Sequence, residues 1–250
     1  MVKVKLLAYT QVSNELKSII PEGISEGEYI CAIAGRNTIS SADPDNLLRI
    51  PPKKVKGTIK AVMSYGHYSV IEHLSFTFLI WDFSRIISQQ LTRHRIASFS
   101  QRGQRYVKWE SPHFIVPHTI ANNSKAKKLF DQAMKITLNI YKELLKEGIP
   151  AEDARFVLPN AIETYIVMTM NARELLHFLK LRLCAKAQWE IRELAYEILK
   201  LVLPIAPTIF QYAGPSCISE GVCREPSRPK KLCDMIIKEI TSLKEKYSEK

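Results

Sequence analysis

Residues 162–182 read IETYIVMTMNARELLHFLKLR, and their pattern decides the fold class. Ile162, Thr164, Ile166, Met168 and Met170 fall on alternate positions, the period of a strand with one face turned to a core. Asn171 closes that strand. Glu174 stands three residues on and completes an Asn-x-x-Glu capping box in front of the helix ARELLHFLKLR. The same alternation occurs upstream at Leu74, Phe76, Phe78 and Ile80, with Ser75, Thr77 and Leu79 between them. After it, residues 84–95 (SRIISQQLTRHR) return to helical character.

Working outward, Ile191, Leu194, Ala195, Ile198, Leu199 and Val202 keep i, i+3, i+4 spacing over three turns, the clearest helix of the chain. Ser124 is the expected cap of a long helix whose apolar stripe runs through Ala126, Leu129, Phe130, Ala133, Thr137, Ile140, Tyr141 and Leu144. Gly148 and Pro150 stop it. Val2–Tyr9 reads as a strand, Val12–Ile20 as a short helix, and Pro51-Pro52 as the start of another helix. A final helix carries Leu232, Ile236, Ile240, Leu243 and Tyr247 on one face. Strands mixed with helices without a βαβ rhythm predict an α+β fold, with a mixed or antiparallel sheet, flanking helices and one long helical segment. No repeat or linker divides it. Residues 1–215 form the expected catalytic unit, and residues 216–250 add a Cys-containing loop and C-terminal helix packed on the same domain.

The chain has 250 residues, 46% hydrophobic and 24% charged, the composition of a folded soluble protein. Its formal net charge is +11, and residues 51–110 hold ten Lys or Arg against three Asp or Glu. Positive charge concentrated in this way attracts anions, whether nucleic acid, nucleotides or other phosphorylated ligands. Met1–Tyr9 lacks the apolar run of a signal peptide. Leu201–Ser219 is uncharged and long enough to span a bilayer, but Pro204, Pro207 and Pro215 interrupt it, so no membrane helix is expected. Five cysteines are too few for a disulfide scaffold and fit a reducing cytoplasm.

Polar chemistry concentrates at residues 90–106, QLTRHRIASFSQRGQRY. If the preceding helix continues, Gln90, Arg93 and His94 share a face. Gly103 permits a positive φ or a close backbone approach to a ligand. Guanidinium forks beside such a turn suit a phosphate, and an ordinary solvated basic loop satisfies the same pattern. Arg173 and His177 lie one turn apart on the capped helix, with Arg182 near its end. His67, Glu72 and His73 are close in sequence but are not H-E-x-x-H, so no metal is expected there. Cys217, Cys223 and Cys233 are spaced C-x5-C-x9-C, without the C-x2-4-C pair usual in a structural zinc site, and reduced thiols are expected. Neither a P-loop nor a Rossmann fingerprint is present.

The run RHRIASFSQRGQRY, residues 93–106, resembles the signature of flavin-dependent thymidylate synthases: R-H-R, seven residues, a serine, then x-R-Y. GHYSVIEHLSFTF resembles that family's G-H-x-S/T-x-x-E-H segment. ARFVLP and NARELLHFLKLRLCAKAQWEIR resemble two further blocks in the family's order, so the likeness covers about half the chain, from Gly66 to Arg192. It implies an α+β homotetramer with active sites shared between subunits. It implies an enzyme that makes dTMP from dUMP, with FAD as cofactor, methylenetetrahydrofolate as carbon donor and NADPH as reductant. Reduced flavin delivers the hydride, and no cysteine nucleophile takes part.

Carried over position by position, the resemblance implies that His67, Ser69, Glu72, Arg93, His94, Arg95, Ser100, Asn171, Arg173 and His177 contact FAD. It implies that Gln90, Gln101, Gly103, Arg105, Arg155 and Arg182 hold dUMP, with Arg182 at the uracil as the catalytic cation. Gly103 stands where the signature has serine, Ser100-Gln101 where the family often has Asn-Glu, and Lys186 where it often has His. Two other readings fit the residues: a flavin or nucleotide binder altered in catalysis, and a basic RNA-binding protein. With the resemblance weighed in, nucleic acid is not the expected partner.

Overall fold

A computed structural model describes residues 2–109, 111–225 and 227–247; Met1, Glu110, Pro226 and residues 248–250, which the sequence reading included in its ranges, lie outside them. The fold is α+β, built on a four-stranded antiparallel sheet in the order β1-β2-β4-β3. β1 is Lys3–Tyr9, β2 Ser75–Ser84, β3 Ala97–Gln101 and β4 Glu163–Asn171. Before β2 come α1 (Glu26–Asn37), α2 (Pro44–Leu48) and α3 (Pro52–Tyr65), and after it α4 (Arg85–Leu91). Between β3 and β4 lie α5 (His118–Ala121), α6 (Ser124–Lys146) and α7 (Ala151–Ala154). The chain then runs through α8 (Ala172–Arg182), α9 (Trp189–Val202), α10 (Pro207–Phe210), α11 (Ser216–Ser219) and α12 (Lys230–Glu245).

Both alternating strands obey their pattern. Phe76, Phe78 and Ile80 of β2 and Ile166, Met168 and Met170 of β4 are all buried on one face, where they meet the apolar sides of α8 and α9. Pairing of Phe76 with Met170 and of Phe78 with Met168 fixes the register, because a slip of one residue would turn the whole set to the other face. Ile236, Ile240 and Leu243 of α12 join this core. A smaller core gathers Trp109, Tyr141, Ala154 and Ile162 beneath α6.

Three expectations are corrected. The segment Val12–Ile20 is a 3-10 helix over Asn14–Ile19. The cap of α6 is Asn123, whose side chain accepts the N–H groups of Lys125 and Ala126, so Ser124 is the first helical residue. The apolar stripe of α6 packs on the smaller core through Tyr141 and Leu144, while Leu129 and Ile140 stay 67% and 46% exposed. The helix after β2 stops at Leu91, so Gln90, Arg93 and His94 do not share a helical face.

Two buried carboxylates clamp helix starts to the core. Glu28 of α1 accepts the Thr208 and Ile209 N–H groups and the Thr208 hydroxyl, at 2.6, 3.2 and 2.9 Å. Glu190 of α9 accepts the Ser84 N–H at 2.5 Å and its hydroxyl at 2.6 Å, at the point where β2 becomes α4. Burial pushes the Glu190 carboxyl above the usual carboxylate range, and the Ser84 donors pull it back down. Replacing Glu190 by Ala leaves two buried donors without an acceptor, which costs about 3 kcal/mol. Urea unfolding of Glu190→Ala is therefore expected to show that loss; an unchanged midpoint would mean that water replaces the carboxylate.

Candidate active site

The β4–α8 junction organises the site. Asn171 caps α8 by accepting the Glu174 N–H at 2.9 Å. The other half of the expected capping box is diverted: the Glu174 carboxylate lies 3.0 Å from Nδ1 of His94. On the far side of that ring, Arg182 Nε donates to His94 Nε2 at 3.1 Å, and Arg182 Nη2 donates to the Gln90 carbonyl at 3.1 Å. His94 is 4% exposed, with the rings of His177 and Phe178 edge-on at 5.6 and 5.1 Å.

These contacts set the tautomer. A guanidinium donating into Nε2 leaves that nitrogen no proton, so the proton sits on Nδ1 and is donated to Glu174. Although a carboxylate at 3.0 Å favours imidazolium, the opposing guanidinium and burial win. Burial first, then the charges of Arg182 and His177, push His94 down to about 4. Burial raises the Glu174 carboxyl, against the pull of His177 and Arg173. Among the described residues, Arg182 Nη1 has no hydrogen-bond partner, so the guanidinium is held on two nitrogens and open on the third.

Beside this network a cleft of about 420 Å³ is lined by Tyr68, Ile96, Arg173, Glu174, His177 and Lys180, among others. Arg173 meets Glu72 at 2.6 Å in an exposed ion pair, which contributes little stability and can open for a ligand. Arg93 and Arg95 project past the end of α4, exposed and without hydrogen bonds among the described residues. Ser100 is also exposed, on the edge strand β3. The sequence reading left that strand inside a polar loop.

A second group forms between β3 and α7. Arg105 Nε donates to the Glu152 carboxylate at 2.5 Å and Arg155 Nε to the Glu152 carbonyl at 2.9 Å, so both cations gather at one residue. Gln101 donates to the Thr164 hydroxyl at 3.0 Å. Gly103 is exposed and does not adopt a positive φ, which leaves the close backbone approach as the use of its missing side chain; a Cβ there would meet only the Arg105 nitrogen, at 3.9 Å. Nothing local therefore demands glycine, and a serine fits. Gln104 between them is 6% exposed with Nε2 unpartnered among the described residues.

His67 and Ser69 lie apart from both groups. They line a cavity of about 900 Å³ together with Arg36, Lys53, Lys54 and Thr58, from α1 and α3. The buried Arg36 Nε has no partner among the described residues. Sequence reasoning missed Arg36 and Gln104, since an isolated Arg in an amphipathic helix and a Gln in a polar loop carry no signal of burial. His67, Glu72 and His73 do not converge; the described residues whose ligand atoms lie within 4.8 Å are Asp82, His113 and Glu163. These already serve the fold, with Asp82 paired to Lys3 at 2.7 Å and Glu163 accepting the His113 N–H at 3.1 Å.

The model of the family described as "Thymidylate synthase complementing protein" matches residues 22–208. A protein of Geobacter sulfurreducens named flavin-dependent thymidylate synthase is 47% identical over 213 residues, 84% of this chain and 91% of its own length. Proteins of the same name from Clostridium tetani and Pyrococcus abyssi are 40% and 43% identical, over 90% and 71% of this chain and 91% and 76% of their own.

The depressed His94 value makes stability pH-dependent. Below the free-imidazole value of 6.5 the unfolded chain takes up a proton that the folded chain refuses until about 4. Stability is therefore lost as pH falls through that window, by about 3 kcal/mol for this one group. A His94→Gln variant retains a donor towards Glu174 and an acceptor for Arg182. It is expected to lose less stability than the parent between those pH values in paired urea titrations. Equal slopes would mean that His94 is already charged in the fold.

Proposed function

The chain belongs to the flavin-dependent thymidylate synthase family, and on that premise we propose that the α8 cleft holds the flavin and that the arginines around it hold the nucleotide. The protein is an enzyme that makes dTMP from dUMP with FAD as its cofactor. Methylenetetrahydrofolate as carbon donor and NADPH as reductant fit the same chemistry. The observation that carries the site assignment is the buried, neutral His94, which orients Arg182 and leaves one guanidinium nitrogen open.

The residues present fit a flavin dinucleotide. The cleft is partly apolar, through Met63, Ile96 and Leu176, as an isoalloxazine face requires. Arg173 and His177 stand on its rim, with Asn171 holding the helix that carries them and Glu72 ready to exchange Arg173 for a ligand. Arg93 and Arg95 have free guanidinium forks for phosphates, and a fork fixes both position and orientation. Ser100, His67 and Ser69 extend the polar surface to either side, with the Arg36, Lys53 and Lys54 cavity beyond. When bound, the reduced flavin supplies the hydride.

Arg182 is the catalytic residue of this reading. A fixed cation beside the uracil stabilises negative charge that develops in the ring, and its position costs no reorganisation because His94 and the Gln90 carbonyl already hold it. His94 cannot act as a proton donor through Nε2, which has no proton to give. Arg105 and Arg155 bind the dUMP phosphate, which takes the place of Glu152 at the Arg105 fork. The Gln90 and Gln101 amides and the Gly103 N–H supply neutral polar contacts to the nucleotide. With no hydroxyl at position 103, no serine nucleophile acts there.

The exposed apolar surface supports a homotetramer with shared sites. Leu129, Ile136 and Ile140 of α6 are 67%, 59% and 46% exposed, and Tyr106 and Phe156, beside Arg105 and Arg155, exceed 80%. Such a face is covered by another copy of the chain, which brings the phosphate-binding arginines against a neighbour's cleft. Among the described residues no helix is long and apolar enough to cross a membrane, and we place the enzyme in the cytoplasm.

The purified protein is expected to show a flavin spectrum that NADPH bleaches anaerobically, at a rate that dUMP changes. In Arg182→Ala, flavin content is expected to stay near normal while dUMP affinity falls about tenfold or more, since a charge-assisted contact is worth ~1.5–3 kcal/mol. Unchanged dUMP affinity would remove Arg182 from the nucleotide site. For the assembly, Ile136→Lys is expected to shift the mass measured by light scattering from tetramer to smaller species; an intact tetramer would put α6 outside the interface.

A further inference from the structure

Four of the five cysteines meet in space although they are scattered in sequence. Cys184 follows the end of α8, Cys217 lies in α11, Cys223 in the loop after it and Cys233 in α12. All four line one cavity of about 140 Å³, and all four are free thiols. Cys31, the fifth, is buried in the main core. The sequence spacing disfavoured a metal because the tail alone supplies three sulfurs without a close pair. The missing ligand is Cys184, contributed by another part of the fold.

We propose that Cys184, Cys217, Cys223 and Cys233 form a thiolate metal centre, of the S4 type that takes Zn²⁺ or an iron–sulfur cluster, which fastens the C-terminal segment to the end of α8. Sulfur-only sets select these metals over Mg²⁺ or Ca²⁺, which require oxygen. Charge favours the same reading. Four thiolates around one Zn²⁺ carry a formal charge of −2, and Lys180, Lys186, Arg224 and Arg228 line the same cavity against a single acid among the described residues, Glu225. Glu220 engages two of these cations, Lys180 and Arg224, and ties the tail to α8 at the cavity's edge. Leu181, Pro215, Ile236 and Ile237 supply apolar neighbours on the inner side of the cavity, and Cys223 closes it on the solvent side.

On binding a metal the four thiols give up four protons to solvent as the metal–sulfur bonds form. Among the described residues no three of the sulfurs lie within 4.8 Å of one another. A single Zn²⁺, with bonds of about 2.3 Å, draws them inward, whereas a preformed cluster spreads its ligands over several irons. None of the four cysteines lines the α8 cleft, although Lys180 borders both cavities and Ser219 and Glu220 form part of the cleft wall.

The test is elemental analysis of the full-length protein purified anaerobically without chelators. Acid-labile sulfide is measured alongside, because flavin absorbance masks a cluster. The expected result is about one centre per chain, either zinc alone or iron with matching sulfide, lost in Cys223→Ser and in Cys184→Ser while circular dichroism and flavin content persist. The released metal is accompanied by faster amide exchange over residues 216–233. Cys223 is exposed in a loop, so its serine variant does not threaten the fold. Metal content no higher than in that variant, with no uptake of zinc or of iron and sulfide on anaerobic reconstitution, overturns the proposal. A disulfide among the four, found by mass spectrometry under the same anaerobic conditions, overturns it too.

Discussion

Everything at the candidate site depends on one imidazole wedged between a carboxylate and a guanidinium. His94 lies beyond the end of α4, on a stretch with no regular secondary structure, yet it is nearly inaccessible to solvent. Glu174 takes its Nδ1 proton and Arg182 donates to its Nε2, and both partners belong to α8. The single ring therefore locks the α4–β3 connection onto the full length of that helix. It does so only while neutral, because imidazolium would present a second donor to Arg182. The polar triad thus imposes geometry more than it adds stability, since burying a carboxylate and a guanidinium costs much of what their hydrogen bonds return.

The carboxylates play this part repeatedly. Glu28 and Glu190 are buried and raised by desolvation, and each accepts backbone and hydroxyl protons at a helix start. Glu190 fixes the turn from β2 into α4, which carries Gln90 and leads to Arg93 and His94. The basic residues, in contrast, remain largely at the surface. The net positive charge is therefore an exposed and usable field.

How much of this was legible follows from how strongly each pattern was over-determined. β2 and β4 were plain because burial on one face and register repeat the same message at every second residue. The start of α8 was plain because Asn171 is both the end of a strand and a capping residue. β3 was not, since Ala97, Phe99 and Gln101 are only half-buried and Ser98 and Ser100 are polar, so a short edge strand reads as a loop. The end of α4 escaped because no Gly or Pro marks it: the helix closes at Leu91 with Thr92 as its cap, ahead of the buried His94. The cap of α6 was misplaced by one residue because Asn123 and Ser124 are both good caps. The sixteen positions named from the motifs were brought together in parts: Gln90, His94, Asn171, Arg173, His177 and Arg182 gather along α8, Arg105 and Arg155 at Glu152, and His67 and Ser69 around a separate cavity. Spacing along the chain carries no information about such meetings across a sheet.

The same limit explains the features that a single chain leaves unmatched. An amphipathic helix normally hides its stripe, yet Leu129, Ile136 and Ile140 of α6 stay exposed in the single chain, and the proposed assembly would cover them. Arg93 and Arg95 have no carboxylate partner among the described residues, which would leave them available to the proposed phosphate ligand. Apolar and cationic groups left unsatisfied on neighbouring elements of one fold point outward to two different partners, a second subunit and an anionic ligand. Tyr106 and Phe156 directly neighbour Arg105 and Arg155 in the chain, and both arginines meet at Glu152, so the two demands coincide there. In the proposed homotetramer assembly and ligand binding are physically coupled: an apolar contact that buried Phe156 and Tyr106 would also lower the local dielectric around Arg155 and Arg105 and strengthen their hold on a phosphate.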